Sequence, residues 1–314
     1  MRAIKQFEFP PEQRKALHKA RRLEWITIVY LLSAIVIMYF TLGSSQAMKT
    51  AWAEDMLSLI PPIVFLVANR IANWKPSERF PYGYHRVTSI AFLCASVALL
   101  AMGSWLLTDS VLKLIKAERP AIGGITLFGH TIWLGWLMMA ALLYSGIPIV
   151  FLGRAKRPLA SKLHDKVLHV DAEMNRDDWL TIVAAIVGVT GIGLGYWWAD
   201  AVAGGVIALQ VTKDGLSNLK QVAFDLMDER PKTVDRAEPH ALPGQVQSCL
   251  AGLPWVLDAE VRMREEGHVF FGEAYLVVAD GTSDLPQRLE RATHECLELD
   301  WRLHEISLVP VTAL

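Results

Sequence analysis

Between Trp25 and Met227 the chain holds five long apolar stretches and a weaker sixth, and their length leaves it few folds. About 20 apolar residues span a hydrocarbon core of roughly 30 Å. No water is present there to satisfy backbone N–H and C=O groups, so such stretches cross as helices. They run from Trp25 to Leu42, Met48 to Asn73, Val87 to Ile115, Phe128 to Leu152, Met174 to Trp198, and Ala199 to roughly Val222. A composition that is 53% hydrophobic but still 20% charged points to two parts, a membrane bundle and a soluble tail. The expected division is 1–24 as a polar leading segment, 25–227 as six spans, 228–242 as a linker and 243–314 as a soluble domain.

The tail has a legible order. Pro243 to Leu253 is helical in pattern, Val256 to Arg264 and Val269 to Val278 alternate as strands, Leu285 to Leu297 repeats apolar residues at helical spacing, and Arg302 to Val311 is a last strand. This α-β-β-α-β order predicts an open-faced sandwich. Lysine and arginine crowd before Trp25 (Arg2, Lys5, Arg14, Lys15, Lys19, Arg21, Arg22), between spans two and three (Lys75, Arg79, Arg86) and between spans four and five (Arg154, Lys156, Arg157, Lys162, Lys166). By the positive-inside rule these segments and both termini face the cytosol. The leading segment lacks the short apolar run of a signal peptide, so the first span is expected to be retained.

Several functions are disfavoured. A net charge of -1 and no overall basic bias argue against nucleic acid as a partner. Cys94, Cys249 and Cys296 are scattered and form neither a disulfide framework nor a cysteine metal site. No nucleophile-base constellation or nucleotide loop stands out, and "GVTGIGLG" lies in mid-membrane after no strand, so an enzyme is not expected. No prosthetic group is expected either.

Two spans carry adjacent acids that lipid would not tolerate: Glu54 with Asp55 in the second, and Asp177 with Asp178 opening the fifth. A charge at membrane depth costs about 2.5 to 3.5 kcal/mol on lenient insertion scales, so something must stabilise these groups. A cation is one solution; an internal hydrogen bond, or pairing with Lys213 or Arg176, is the other. Pro61 and Pro62 remove two backbone donors just beyond Glu54, Asp55 and Ser58. Gly188, Gly191, Gly193, Gly195, Gly204 and Gly205 suit close helix packing. Asp171, Asn175 and Asp177 fit a helix start, where the dipole favours acids; the other reading of Asp171 and Asn175, four apart on one face, is that they complete a metal shell.

Six spans with cytosolic ends, acids in spans two and five, and the α-β-β-α-β tail together resemble the cation diffusion facilitator family of divalent-metal transporters. The most specific segment runs from Asp171 to Asp228, with "DAEMNRDDWLT", "WWADAVAGGVIALQ" and "LMDERP"; "RFPYGYHR", ending at Arg86, is similar to the loop after span two. The resemblance implies a six-helix membrane bundle with a cytosolic α+β domain of ferredoxin-like order, assembled as a homodimer in the bacterial inner (plasma) membrane. It implies exchange of a divalent cation for protons at a site between spans two and five.

The family pattern places two ligands four residues apart on each of those spans, a spacing that shares one helix face. On span five this gives Met174 and Asp178. On span two it gives Glu54 and Ser58, or, shifted by one, Asp55 and Leu59; both registers remain open. The set has no histidine, which favours manganese or ferrous iron over zinc. Arg86 and Asp228 match a charge pair that joins the loop after span two to the end of span six. The loop positions of a second zinc site read Phe80 and Tyr84, with His85 one place off. The tail positions of a metal cluster read Glu260, Tyr275, Leu308 and Pro310. His268, His294 and His304 are then expected to be surface or packing residues. With Met174 and Ser58 in ligand positions, the alternative is a non-transporting scaffold or partner of the same family.

Overall fold

The computed structural model describes residues 7–127 and 130–314; the side chains of Leu127, His130, Arg176 and Asp177 also lie outside the description. Arg2, Lys5 and Phe128 therefore fall outside it, as does the side chain of Asp177.

Among the described residues, seven helices form the first part: α1 (Pro11–Thr41), α2 (Gln46–Leu57), α3 (Ile60–Ala72), α4 (Val87–Ile115), α5 (Leu134–Leu163), α6 (Lys166–Gly193) and α7 (Ala199–Leu226). Among the described residues, Pro11–Thr41, Gln46–Ala72, Val87–Ile115 and Leu134–Leu163 are long and apolar enough to cross a membrane by length and composition. Their outer faces carry large exposed apolar side chains such as Phe40 (77% exposed), Phe151 and Trp105. A patchwork of this size has no place in water. The chain is an integral membrane protein.

Four local features differ from the sequence reading. Helix α1 starts at Pro11, so the basic segment before Trp25 is a continuation of the first long helix; Pro11 suits a first helical position because its missing N–H has no partner there anyway. The second stretch is two helices joined at Ser58 and Leu59, with Pro61 and Pro62 in the first turn of α3. Before α5, β1 (Gly124–Leu127) and β2 (His130–Trp133) make a short antiparallel hairpin from residues assigned in part to the fourth stretch. Helix α5 then runs on to Leu163, which puts Lys156 inside a helix and fully buried, where the charge count had it in a loop.

Helix α4 lies along α7, α5 along α6, and α1 along α5. Small residues set the close approaches. A Cβ on Gly103 would come 2.8 Å from the Thr212 backbone, and one on Gly215 would come 2.6 Å from that of Leu100, so α4 and α7 meet almost backbone to backbone. Met38, Met48, Met138, Val189 and Ile207 fill one end of the bundle. Phe9, Phe65, Phe92, Leu163 and Val222 fill the end nearer the soluble part.

That part holds α8 (Leu242–Ala251), β3 (Val256–Glu266), β4 (Val269–Val278), α9 (Leu285–Leu299) and β5 (Leu303–Val311). The sheet order is β3-β4-β5, with β4 antiparallel to β3 and parallel to β5, so α9 supplies the crossover. Leu242, Val246, Leu250, Phe270, Cys296 and Ile306 form its core. Each element lies within a residue or two of its sequence-based bounds, because alternation and helical spacing are both strong here.

The β3–β4 turn is two residues long. Gly267 sits there with φ +66, and a Cβ on it would come 3.1 Å from the His85 carbonyl oxygen. The tip of the hairpin is thus wedged against the loop between α3 and α4.

Candidate functional site

Helix α2 ends beside the candidate ligands. Ser58 is buried, caps the helix, and donates its N–H to the Glu54 carbonyl at 2.8 Å. Pro61 and Pro62 have no N–H to give the carbonyls of Leu57 and Ser58. A helix C-terminus with released carbonyls is an electronegative place, and it lies one turn from Glu54.

The two acids of α2 face different ways. Thr181 of α6 donates its hydroxyl to Glu54 Oε1 at 3.1 Å, while Glu54 Oε2 is buried with no hydrogen-bond partner among the described residues. Asp55 instead accepts from the hydroxyl of Ser145 on α5. Thr181 is three residues beyond Asp178 and seven beyond Met174, so the three lie along one stripe of α6. Glu54 therefore reaches α6 at Thr181, about one helical turn beyond Asp178 on the same stripe. Met174 packs at the edge of the bundle core, and Asp178 is half-buried.

Asp171 and Asn175 are not helix-start residues. Helix α6 begins at Lys166 and is capped by Asp165, whose side chain accepts from the Leu168 N–H. Asp171 is two turns in and accepts from the ammonium of Lys156, which also donates to Glu24 Oε2 at 2.8 Å. Lys156 and Glu24 are 0% exposed and Asp171 is 2% exposed. Asn175 donates to Asp171 at 3.3 Å. The triad binds α1, α5 and α6 together below the candidate site. Sequence reasoning missed it, along with Thr181 and Ser145. Only Thr181 left a signal, as the next position on the Met174–Asp178 stripe.

A cavity of about 150 Å³ opens between α6, α7 and the loop after α7. His169, Glu173, Asp214, Asn218 and Asp235 line it, and Met174 lies at its wall. Its lining is largely polar, and it reaches the Met174 end of the stripe. Among the described residues, no group of three or more His, Cys, Asp or Glu side chains is placed to hold a metal ion.

The sequence pattern of the cation efflux transmembrane domain matches residues 23–227. The chain belongs to the cation efflux family. That is a family of transporters and not of enzymes. It is similar to the manganese efflux system protein MneS of Bacillus subtilis, at 24% identity over 203 residues, covering 65% of this chain and 66% of that one. It is also similar to a probable cation efflux system protein of Mycobacterium tuberculosis, at 24% identity over 272 residues, covering 86% of this chain and 75% of that one. A third relative is the cadmium, cobalt and zinc/H(+)-K(+) antiporter of B. subtilis, at 24% identity, covering 58% of this chain and 54% of that one. The chain thus spans just under two thirds of the manganese relative's length and about half of the antiporter's.

Where the cation efflux domain meets its soluble tail, charges interlock. Arg86 donates to Asp228 and lies 3.3 Å from Glu266, and Arg264 lies 3.0 Å from Glu266. Lys166 bridges Asp225 at 3.2 Å and Glu265 at 2.9 Å, and Arg236 reaches Asp225 at 3.0 Å. His268 is buried, within 3.0 Å of Asn69 Oδ1 and 3.5 Å of Asp165. It is a packing residue, as is His304, whose ring meets Phe7, His85 and Phe271. His294 is exposed. Phe80 and Tyr84 stack on one another. Burial, and then the neighbouring His304 and His268, push His85 down to about 4.

Proposed function

We propose that this chain moves a divalent metal cation out of the cytosol in exchange for protons, holding it between α2 and α6. Glu54, Ser58, Met174 and Asp178 form the site in this reading; Asp55 is a helix-packing acid held by Ser145. One observation carries it. Glu54 crosses to α6 at Thr181, one turn from Asp178 on the same stripe, and keeps one buried carboxylate oxygen without a hydrogen-bond partner among the described residues, beside the open C-terminus of α2. A buried carboxylate lacking partners is costly unless a proton or a cation joins it. Metal and proton thus exclude one another, which is the basis of exchange.

The cavity between α6 and α7 is the cytosolic route to the site. With α6 and α7 counted as spans, each 28 residues long, the bundle has six. Both termini are cytosolic, the membrane is a bacterial inner membrane, and the working unit is a homodimer. Carboxylates, a hydroxyl and a thioether without imidazole suit manganese or ferrous iron better than zinc. The similarity to a manganese efflux protein supports that order.

A second reading is a non-transporting partner or scaffold. It draws on the lack, among the described residues, of a gathered group of three His, Cys, Asp or Glu side chains. The test is flux into proteoliposomes across manganese, ferrous iron, zinc, cobalt and cadmium with an imposed pH gradient. Gradient-dependent uptake with manganese or iron leading supports the transporter. No flux with any ion from folded protein supports the partner.

A further inference from the structure

Helices α1 and α3 run antiparallel and leave a groove of about 1070 Å³ between them at the soluble-domain end of the bundle. The volume is just above the roughly 300 to 1,000 Å³ of ordinary ligand pockets, and the groove is open along its length. Its floor is apolar, with Ile28, Ile63 and Leu66. Its mouth is not. Arg21 stands one turn before Trp25 on α1, and Arg70 ends the facing stripe of α3. Among the described residues neither guanidinium has a carboxylate within ion-pair distance. Arg14 and Glu8 also line the groove and hold one another in an exposed pair at 3.3 Å. Trp25 is 60% exposed, as tryptophans are at the level of lipid headgroups.

Two unpaired guanidiniums at the rim of an apolar groove, at interface depth, select an amphiphile with an anionic head. A peptide or a second copy of the chain would need acids facing Arg21 and Arg70. The nearby exposed residues Lys15, Lys19 and Arg22 add like charge, and the acid in the lining, Glu8, is taken up by Arg14. We propose that this groove binds one anionic phospholipid of the cytosolic leaflet, its phosphate between Arg21 and Arg70 and an acyl chain along Ile28 and Leu66. The proposal rests on the membrane orientation above but not on transport, and its test does not read flux.

The full chain, purified in detergent, is mixed with phosphatidylglycerol and phosphatidylcholine, and retained lipid is counted by native mass spectrometry. Two arginines at a surface contribute about a 30-fold preference for the anionic lipid. The wild type should show it, and Arg21→Gln with Arg70→Gln should fall to near parity while the oligomer is unchanged. Arg21→Lys with Arg70→Lys should keep most of it, which separates lost charge from lost folding. Lys19→Gln with Arg22→Gln, off the groove, should keep it too. Four results would overturn the site: equal retention by wild type and the double glutamine variant; an equal drop in the off-groove variant, meaning diffuse charge; dissociation of the oligomer in the glutamine variant, meaning a contact between copies; or, with inorganic phosphate added in the same assay, loss of the retained lipid to phosphate, meaning a site for the free anion.

Discussion

The adjacent acids of α2 differ in what meets them, and that difference separates their roles. Glu54 has Thr181 on one oxygen and no hydrogen-bond partner among the described residues on the other, whereas Asp55 is engaged by Ser145. Glu54→Gln should therefore lower manganese flux in proteoliposomes at least tenfold, equivalent to losing about 1.4 kcal/mol of cation binding. Asp55→Asn should leave flux within about threefold of wild type, since an amide can still accept from Ser145. The opposite order would put the site in the Asp55 register. From sequence alone the two acids were equivalent. A shift of one residue turns a helical side chain by about 100°, and no local property of "AEDMLSL" says which acid faces span five.

Among the elements, α6 bears most of the site and is fixed by charges from distant parts of the chain. Lys156 joins Glu24 and Asp171 across three helices, all of it buried. Removing one member of such a group leaves an uncompensated charge, which costs about 3 to 5 kcal/mol. Lys156→Met should lower the Tm of the purified protein accordingly, and adding Glu24→Gln and Asp171→Asn to it should restore much of the loss. Full stability in the single variant would show that the triad contributes nothing. The spans and the tail were legible because bilayer thickness, helical spacing and strand alternation are written locally. The triad was not, since Glu24 and Lys156 are 132 residues apart and each resembles an ordinary interfacial charge. The β1–β2 hairpin was hidden for another reason: its four-residue strands merge into the apolar run that precedes α5. Asp200 is a similar case. It accepts from Ser45 Oγ at 2.6 Å and Ala47 N at 3.1 Å, capping α2 from the start of α7, yet in sequence it is one acid beside a tryptophan pair.

In the whole molecule, bundle and tail meet at a seam where the β3–β4 tip contacts the loop before α4. His85 titrates there near 4, below the unfolded value of roughly 6.5, so the folded seam favours the neutral ring. Its contribution is complete above about pH 6.5 and is lost, at about 1.4 kcal/mol per pH unit, as pH falls toward 4. Burial alone would raise Glu265, but His164 and Lys166 hold it below the usual carboxylate range, so further acidification weakens the seam in the same direction. Hydrogen exchange corrected for intrinsic rate should show the Glu266 to Val269 turn at least tenfold less protected at pH 5 than at pH 7, and His85→Gln should flatten that response. Equal protection at both pH values would detach the seam from His85. Carriage of the cation between α2 and α6 is tested by manganese uptake into proteoliposomes under an imposed pH gradient, wild type beside Asp178→Ala. Gradient-dependent uptake is expected in the wild type and its loss in the variant with the fold intact; undiminished uptake by Asp178→Ala would place the cation elsewhere.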